Sequence, residues 1–146
     1  MTEYCRIALL KTNYELSLAA KLLTVGGREE NYARINEIYT TYCRYKKFTS
    51  VMPLFYEEFL NVKSDVIGYY HANELVAWSL LTSYDNENVE GIQFAWDYKT
   101  PSLHLGTVSL QHECAYYKKL GYSYLYLGEA ATYKSLIQGY EILGEI

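Results

Sequence analysis

The chain has 146 residues and a formal net charge of −4; it is 50% hydrophobic and 21% charged. These values describe one folded globular domain and exclude a disordered chain. They also exclude a broad cationic surface for nucleic acid, though not a local basic patch. There is no run of 18 apolar residues, and the first ten residues lack the pattern of a signal peptide. The expectation is a soluble, cytoplasmic protein with no membrane partner. Cys5, Cys43 and Cys114 are far apart and odd in number, and none falls at the spacing of a zinc site. No metal and no disulfide are expected, which fits a reducing compartment. Tyrosine stands out at 18 residues. Each phenol buries a large ring and needs a partner for its hydroxyl, so this abundance reads either as a cleft or interface or as a habit of composition.

Taken in chain order, Cys5 to Leu10 is a short strand or the lead-in to a helix. Glu15 to Leu23 is apolar at helical spacing, with Gly26-Gly27 as its stop. Arg28 to Lys47 reads as a long helix whose stripe is Tyr32, Ile35, Ile38, Tyr39, Tyr42 and Tyr45. Pro53 suits the first turn of another helix, with Phe55, Phe59 and Leu60 inward. The period then changes to that of strands. Asp65 to Tyr70 and Leu75 to Leu81 are joined by a tight turn at His71 to Glu74, and Val89 to Trp96 follows a turn at Asn86 to Asn88. Gly106 opens a helix that runs to Leu120 and stops at Gly121. Tyr122 to Leu127 is a strand, Thr132 to Gln138 a short helix, and Tyr140 to Leu143 a last strand.

This order predicts an α/β protein with a mixed sheet: an antiparallel meander, then a strand–helix–strand unit from Val89 through Leu127 with parallel strands and a right-handed crossover. Helices are expected on both faces, with a cleft at the C-terminal ends of the parallel strands. A V-shaped gap between the strands at Phe94 and Tyr124 is the place to look for it. In GYSYLYLG, Gly121 to Gly128, alternation puts Tyr122, Tyr124 and Tyr126 on one face. Of these, Tyr126 is the ring expected to touch a substrate.

The run LGTVSLQHECAYYKKLGYSYLYLG, Leu105 to Gly128, resembles the C-terminal domain of arginyl- and leucyl-tRNA–protein transferases. Tyr133-Lys134 followed by Glu141 and Leu143 resembles the family's "YK" and "ExL" elements, and FYEEFL (Phe55 to Leu60) and FAWD (Phe94 to Asp97) resemble weaker blocks. The resemblance implies a GNAT-like acyltransferase fold. On that basis residues 1–146 form a single domain, with a helical N-terminal part over 1–50 and a transferase-like core over 51–146. It further implies transfer of an aminoacyl group from a charged tRNA to an amine, with no cofactor required. An acyl-CoA donor is the alternative, as in N-acetyltransferases, and a non-catalytic peptide-binding module is a second. The acceptor is expected to be a peptide or small amine, and a homodimer is left open. The sequence departs from the family in three places. The family's N-terminal cysteine-bearing segment is not visible in Met1 to Ser50. The loop after Gly128 is short, with Glu129-Ala-Ala-Thr132 in place of a longer aromatic stretch. Gly139 stands where the family has proline before "ExL".

Aminoacyl transfer from an ester needs a neutral amine, donors to hold the carbonyl oxygen, and a proton for the leaving hydroxyl. Leu105, Gly106 and Thr107 begin the central helix and are candidates to bind substrate, as an oxyanion or phosphate grip or simply as a cap with a glycine for close packing. His104 precedes them and joins the candidates. Tyr133 is the candidate general acid, or a core ring. Glu129 is a candidate base or amine ligand, or a solvated acid; Asp97 is a candidate base, or a turn former. Tyr126 and Gly128 complete the substrate-binding set. His112 and Glu113 lie inside the helix, where a lone histidine is more often structural. The cluster YCRYKK, Tyr42 to Lys47, either supports stacking and an RNA backbone or places cations at a helix C-terminus.

Overall fold

A computed structural model describes residues 3–46 and 55–145. Among them, seven strands form one sheet: β1 (Glu3–Ala8), β2 (Ala20–Leu22), β3 (Ser64–His71), β4 (Glu74–Ser83), β5 (Asn88–Trp96), β6 (Tyr124–Glu129) and β7 (Tyr140–Glu145). Their spatial order is β2-β3-β4-β5-β6-β1-β7. Every neighbouring pair is antiparallel except β5 and β6. The helices are α1 (Val25–Glu30), α2 (Tyr32–Lys46), α3 (Tyr56–Leu60) and α4 (Leu105–Lys119). The expected mixed sheet, meander and parallel unit are all present.

Local chemistry sets the meander. Ala72 and Asn73 both have positive φ (50° and 65°) between β3 and β4, the backbone a two-residue hairpin needs to match strand twist. Asp85 Oδ1 accepts from the backbone N–H groups of Glu87 and Asn88 and so closes the β4–β5 turn. Period-two alternation then divides the side chains between two cores. Ala77 and Leu81 join Ile7, Ile67, Val89 and Leu125 under α4, which contributes Leu110, Cys114 and Tyr117 at helical spacing. Trp78 and Leu80 join Val66 and Ala95 on the other face, against Ile35 and Ile38 of α2 and Phe59 of α3. Trp78 is fully buried and its indole N–H donates to the Ile35 carbonyl (3.1 Å), which fixes α2 on the sheet.

Several expectations change here. Of the region 15–23, only Ala20–Leu22 is regular, and it is an edge strand on β3. Leu16 and Leu18 are exposed, so their helical spacing marks no core. Gly26 and Gly27 start α1 instead of ending a helix: the Thr24 hydroxyl accepts from Gly27 N–H (3.1 Å) as an N-cap. Residues 1–50 are therefore not only helical, because β1 is an internal strand between β6 and β7. Pro53 and Lys47 lie outside the described residues. Among the described residues the second core reaches β3, β4 and β5, and no helix core extends it over β6, β1 and β7. Tyr124 and Tyr126 are consequently half-buried on that face, over Arg6, whose guanidinium lies 3.8 Å from the Tyr124 ring centroid. Tyr122 precedes β6, so alternation does not carry to it; it packs in the α4 core and its hydroxyl bonds Ser83 (2.7 Å).

Two unusual devices hold the periphery. Arg28 is buried with Asp65 as its charged neighbour, and its guanidinium donates to the carbonyls of Leu23, Phe59, Asn61 and Ser64. It ties the ends of α1 and α3 to β3. Gly139 has φ +77°, a Cβ there would overlap the Ala8 carbonyl, and its own carbonyl accepts from Ala8 N–H (2.8 Å). This explains the glycine where proline would stand, since proline cannot adopt that φ. Gly139→Ala should therefore destabilise the protein by roughly 2–3 kcal/mol, combining the left-handed penalty with the overlap. Gly121→Ala, with φ +95° and open space around it, should cost only about 1 kcal/mol. Urea denaturation of the two variants checks the difference.

Candidate active site

β5 pairs with β6 only through Asn88–Glu90 against Tyr124–Tyr126, whereas β4 follows β5 as far as Trp96. The cause lies in β5 itself. Leu80 opposes Gln93 and Leu81 opposes Gly91, so Ile92 is the extra residue of a β-bulge. A bulge bends its strand, and here β5 parts from β6 just beyond it. Among the described residues the backbone edge of β5 past Glu90 has no strand opposite it, and the wedge is a pocket of about 190 Å³. Gly91 and Phe94 form one wall, Leu127 the other, and Gly106, Ser109 and Glu113 of α4 line it from one face of the sheet. The gap therefore involves Phe94, as expected, but Tyr124 is still paired with Asn88 below it; Leu127 takes that place.

Glu113 is the residue that sequence reasoning passed over. It is 4% exposed and hangs from the middle of α4 over the sheet. Its Oε2 accepts from Tyr69 Oη on β3 and from Ser79 Oγ on β4, both at 2.7 Å. No described side-chain polar atom is both solvent-excluded and unpartnered, so Oε1, which takes neither bond, opens to the pocket. Burial pushes the carboxyl up to about 7, against the opposing pull of the two hydroxyls. A signal did exist in the sequence: Ser109 and Glu113 are four residues apart among Leu110, Cys114 and Tyr117, so the acid lies on the buried stripe of the helix.

Tyr133 lines the same pocket. Burial raises its phenol above the usual range, and the charge of Glu113 adds to the shift, so it stays protonated at neutral pH. Beside it, Lys134 Nζ donates to the Leu127 and Glu129 carbonyls (2.9 and 2.7 Å) and folds the short loop back onto the end of β6. Gly106 also faces the pocket, and a Cβ on it would meet nothing within 4 Å, so close packing is not its reason. At the start of α4 the Thr107 N–H donates to the His104 carbonyl (3.1 Å), so the N–H groups of Leu105 and Gly106 are the ones ahead of the first helical bond. His104 caps α4 with a left-handed backbone (φ 48°) but no side-chain bond, and Leu105 is buried in the core. His104 and Thr107 line a hollow next to the main pocket that shares Gly106 and Tyr133 with it.

The remaining candidates lie elsewhere. Asp97 is buried at the end of β5, where Oδ2 accepts from Arg34 (2.9 Å) and Oδ1 from Lys99 N–H; it anchors α2 and does not reach the pocket. Glu129 is exposed and lines a separate shallow recess with Glu3 and Thr132. Tyr126 points to the opposite face of the sheet, where its hydroxyl accepts from Arg6 (3.1 Å). Gly128, with φ +70°, turns the chain at the pocket edge and pairs with Cys5. His112 Nδ1 accepts from Ser17 N–H (2.9 Å), a structural bond. Among the described residues no group of His, Cys, Asp or Glu could hold a metal ion, and no helix is long and apolar enough to cross a membrane.

Solved structures share this fold. L-PGS from Bacillus licheniformis superposes with a TM-score of 0.68 at 14% identity, over 88% of this chain and 46% of that one. A GCN5-related N-acetyltransferase from Kribbella flavida gives 0.60 at 16% identity, over 96% and 53%. A GCN5-related glucosamine N-acetyltransferase region of a fungal multi-domain GH3 beta-N-acetylglucosaminidase gives 0.65 at 11% identity, over 98% and 20%. The chain thus spans about half or less of each of these structures, and identities this low bear on the fold alone, which is the GNAT acyltransferase fold. No curated protein matches the chain significantly. The model of one family, arginine-tRNA-protein transferase, C terminus, matches residues 14–142, and the chain belongs to that family.

Proposed function

We propose that this pocket transfers an aminoacyl group from the ester of a charged tRNA to the amine of a peptide or small acceptor. The observation that carries the reading is Glu113, a buried carboxyl poised near neutrality in a wedge open to substrate. The amine nitrogen attacks the ester carbonyl carbon; a C–N bond forms and the ester C–O bond breaks. Glu113 Oε1 accepts the proton the amine loses, directly or through one water. Tyr133 gives its proton to the departing ribose oxygen and recovers one from solvent. The Gly106 N–H at the start of α4, on the pocket lining, donates to the carbonyl oxygen as charge develops on it. Glu129 and Asp97 take no part in this scheme. Acyl-CoA is the competing donor, and side-by-side assays with charged tRNA and acetyl-CoA decide between them.

A carboxyl with a value of about 7 must ionise before it can accept a proton. Transfer should therefore rise with pH through an apparent midpoint near 7 and flatten above it. Glu113→Gln should lower the rate roughly 10²–10⁴-fold and abolish that rising limb. An unchanged rate would remove Glu113 from the chemistry.

The same group makes a separate claim about stability. Its folded value is raised from 4.5 to about 7, so the native state binds the extra proton. Its contribution is full below pH 4.5 and is lost as pH rises through 7, an effect on the order of 3 kcal/mol. Glu113→Gln keeps an oxygen for both hydroxyls and should flatten this decline in denaturation curves between pH 5 and 8. Tyr133→Phe should slow transfer roughly 10–100-fold while leaving the pH midpoint in place.

A further inference from the structure

A base that takes up a proton and releases it in every cycle needs surroundings that suit both of its forms. Two hydroxyls meet Oε2 of Glu113: Ser79 Oγ and Tyr69 Oη, each at 2.7 Å. Tyr69 Oη also lies 3.2 Å from the carbonyl oxygen of Ser109. A phenol has one hydrogen to donate, so these two acceptors compete for it. Ser109 is one turn before Glu113 on α4, so Tyr69 reaches both the acid's side chain and the helix turn that carries it. Tyr69 and Ser79 are buried, and a buried hydroxyl with no acceptor is costly. The neighbouring titratable groups add little charge. Cys114 and Tyr117 on α4 and Tyr133 after β6 are all pushed up by burial and stay neutral near pH 7. Gln93 of β5 lines the wedge without a charge, and Lys134 turns its Nζ to the Leu127 and Glu129 carbonyls.

From this geometry we infer that Tyr69 is a positioning residue whose hydroxyl hydrogen follows the state of the base: it goes to Oε2 when Glu113 is a carboxylate and to the Ser109 carbonyl when Glu113 is a neutral acid. The phenol O–H bond never breaks; the hydroxyl only turns about its C–O bond. Burial and the charge of Glu113 hold this phenol well above its ordinary range, so it stays protonated throughout. A bond to an ionised acceptor is shorter and stronger than a neutral one, which draws the hydrogen to the carboxylate at 2.7 Å. Once the acid is neutral that advantage is gone, and the amide carbonyl of Ser109 is the better acceptor. Ser79 stays on Oε2 in both forms. The proton is therefore taken up and released at Oε1, the oxygen that faces the wedge. Neither form strands a buried hydroxyl, so Glu113 changes charge without a shift of α4 against the sheet.

This inference rests on Glu113 as the base of the transferase reading, and a titration without substrate keeps the two apart. The full chain is labelled with carboxyl-¹³C glutamate and carbonyl-¹³C serine, and its NMR signals are followed from pH 5 to 9. The Glu113 signal is the one lost in Glu113→Gln, and the Ser109 signal the one lost in Ser109→Ala. In the wild type both should titrate with one shared midpoint. Tyr69→Phe should move the Glu113 midpoint up by roughly 0.5–1 pH unit, because the carboxylate loses a donor, and should abolish the Ser109 response. Ser79→Ala should also raise the midpoint but keep the Ser109 response. In the transfer assay Tyr69→Phe should be slower by roughly three- to tenfold at pH 6 and by less at pH 9. A Ser109 signal that ignores the Glu113 midpoint in the wild type overturns the alternation, whether or not the variants fold. An unmoved midpoint in folded Tyr69→Phe, or an equal loss of rate at pH 6 and pH 9, overturns the positioning role even if the wild type transfers from charged tRNA. The expected titrations with no transfer from charged tRNA uphold the role of Tyr69 and overturn the transferase reading instead.

Discussion

The architecture turns on how far β5 can stay beside β6. β5 is committed to β4 along nearly its whole length, and the bulge at Ile92 bends it, so parallel pairing with β6 stops after Glu90. Backbone groups left unpaired inside a protein are costly, and a packed core would normally fill such a wedge. Here α4 crosses it with Gly106, Ser109 and Glu113 on the open side, two small residues and one acid. The sheet therefore presents an open pocket because its strands diverge. The polar backbone edge exposed by that divergence can bond a ligand carbonyl with no rearrangement of the fold.

Two buried carboxylates at this end of the molecule show how partners decide a role. Asp97 faces the Arg34 guanidinium at 2.9 Å and is engaged as an ion that joins α2 to β5. Glu113 faces only hydroxyls, from Tyr69 and Ser79. Hydroxyl donors support a carboxylate without fixing a charge, so burial prevails and the group sits near 7. Tyr69, itself buried and pushed well above its ordinary range, cannot compete for the proton. Three elements, α4, β3 and β4, meet at this one oxygen, so the carboxyl is rigidly positioned.

Much of the sheet was legible because its signals are local. The turn at Ala72-Asn73, the glycine stop at Gly121 and the alternating runs from Asp65 to Trp96 each reveal themselves within a few residues. What was not legible depends on partners far away in sequence. Nothing in EYCRIA says that it will lie between β6 and β7, and the apolar spacing of Leu16 and Leu18 cannot report that both stay exposed. Among candidate site residues, Gly106 and Tyr133 reach the wedge, carried by the helix start and the "YK" element. Asp97, Glu129 and Tyr126 do not, because strand-end position alone cannot tell which side of a sheet a side chain takes. Glu113 was hidden by the opposite difficulty: inside a helix an acid looks solvated until its neighbours at three and four residues are seen to be core.

The strand that sequence placed least well also bears on the shortened loop after Gly128. β1 pairs with β6 as far as Glu129 and with β7 on its other side. Ala130 N–H then donates to the Glu3 carbonyl (2.8 Å), so the loop starts tethered. Lys134 returns to the Leu127 and Glu129 carbonyls, and Gly139 closes on Ala8. A loop held at both ends over so few residues has little freedom to lose, and Tyr133 is presented to the wedge from a fixed base. The missing aromatic stretch is thus no obstacle to placing the phenol. The short loop leaves Tyr133 and Lys134 both lining the wedge, next to Leu127 at the end of β6.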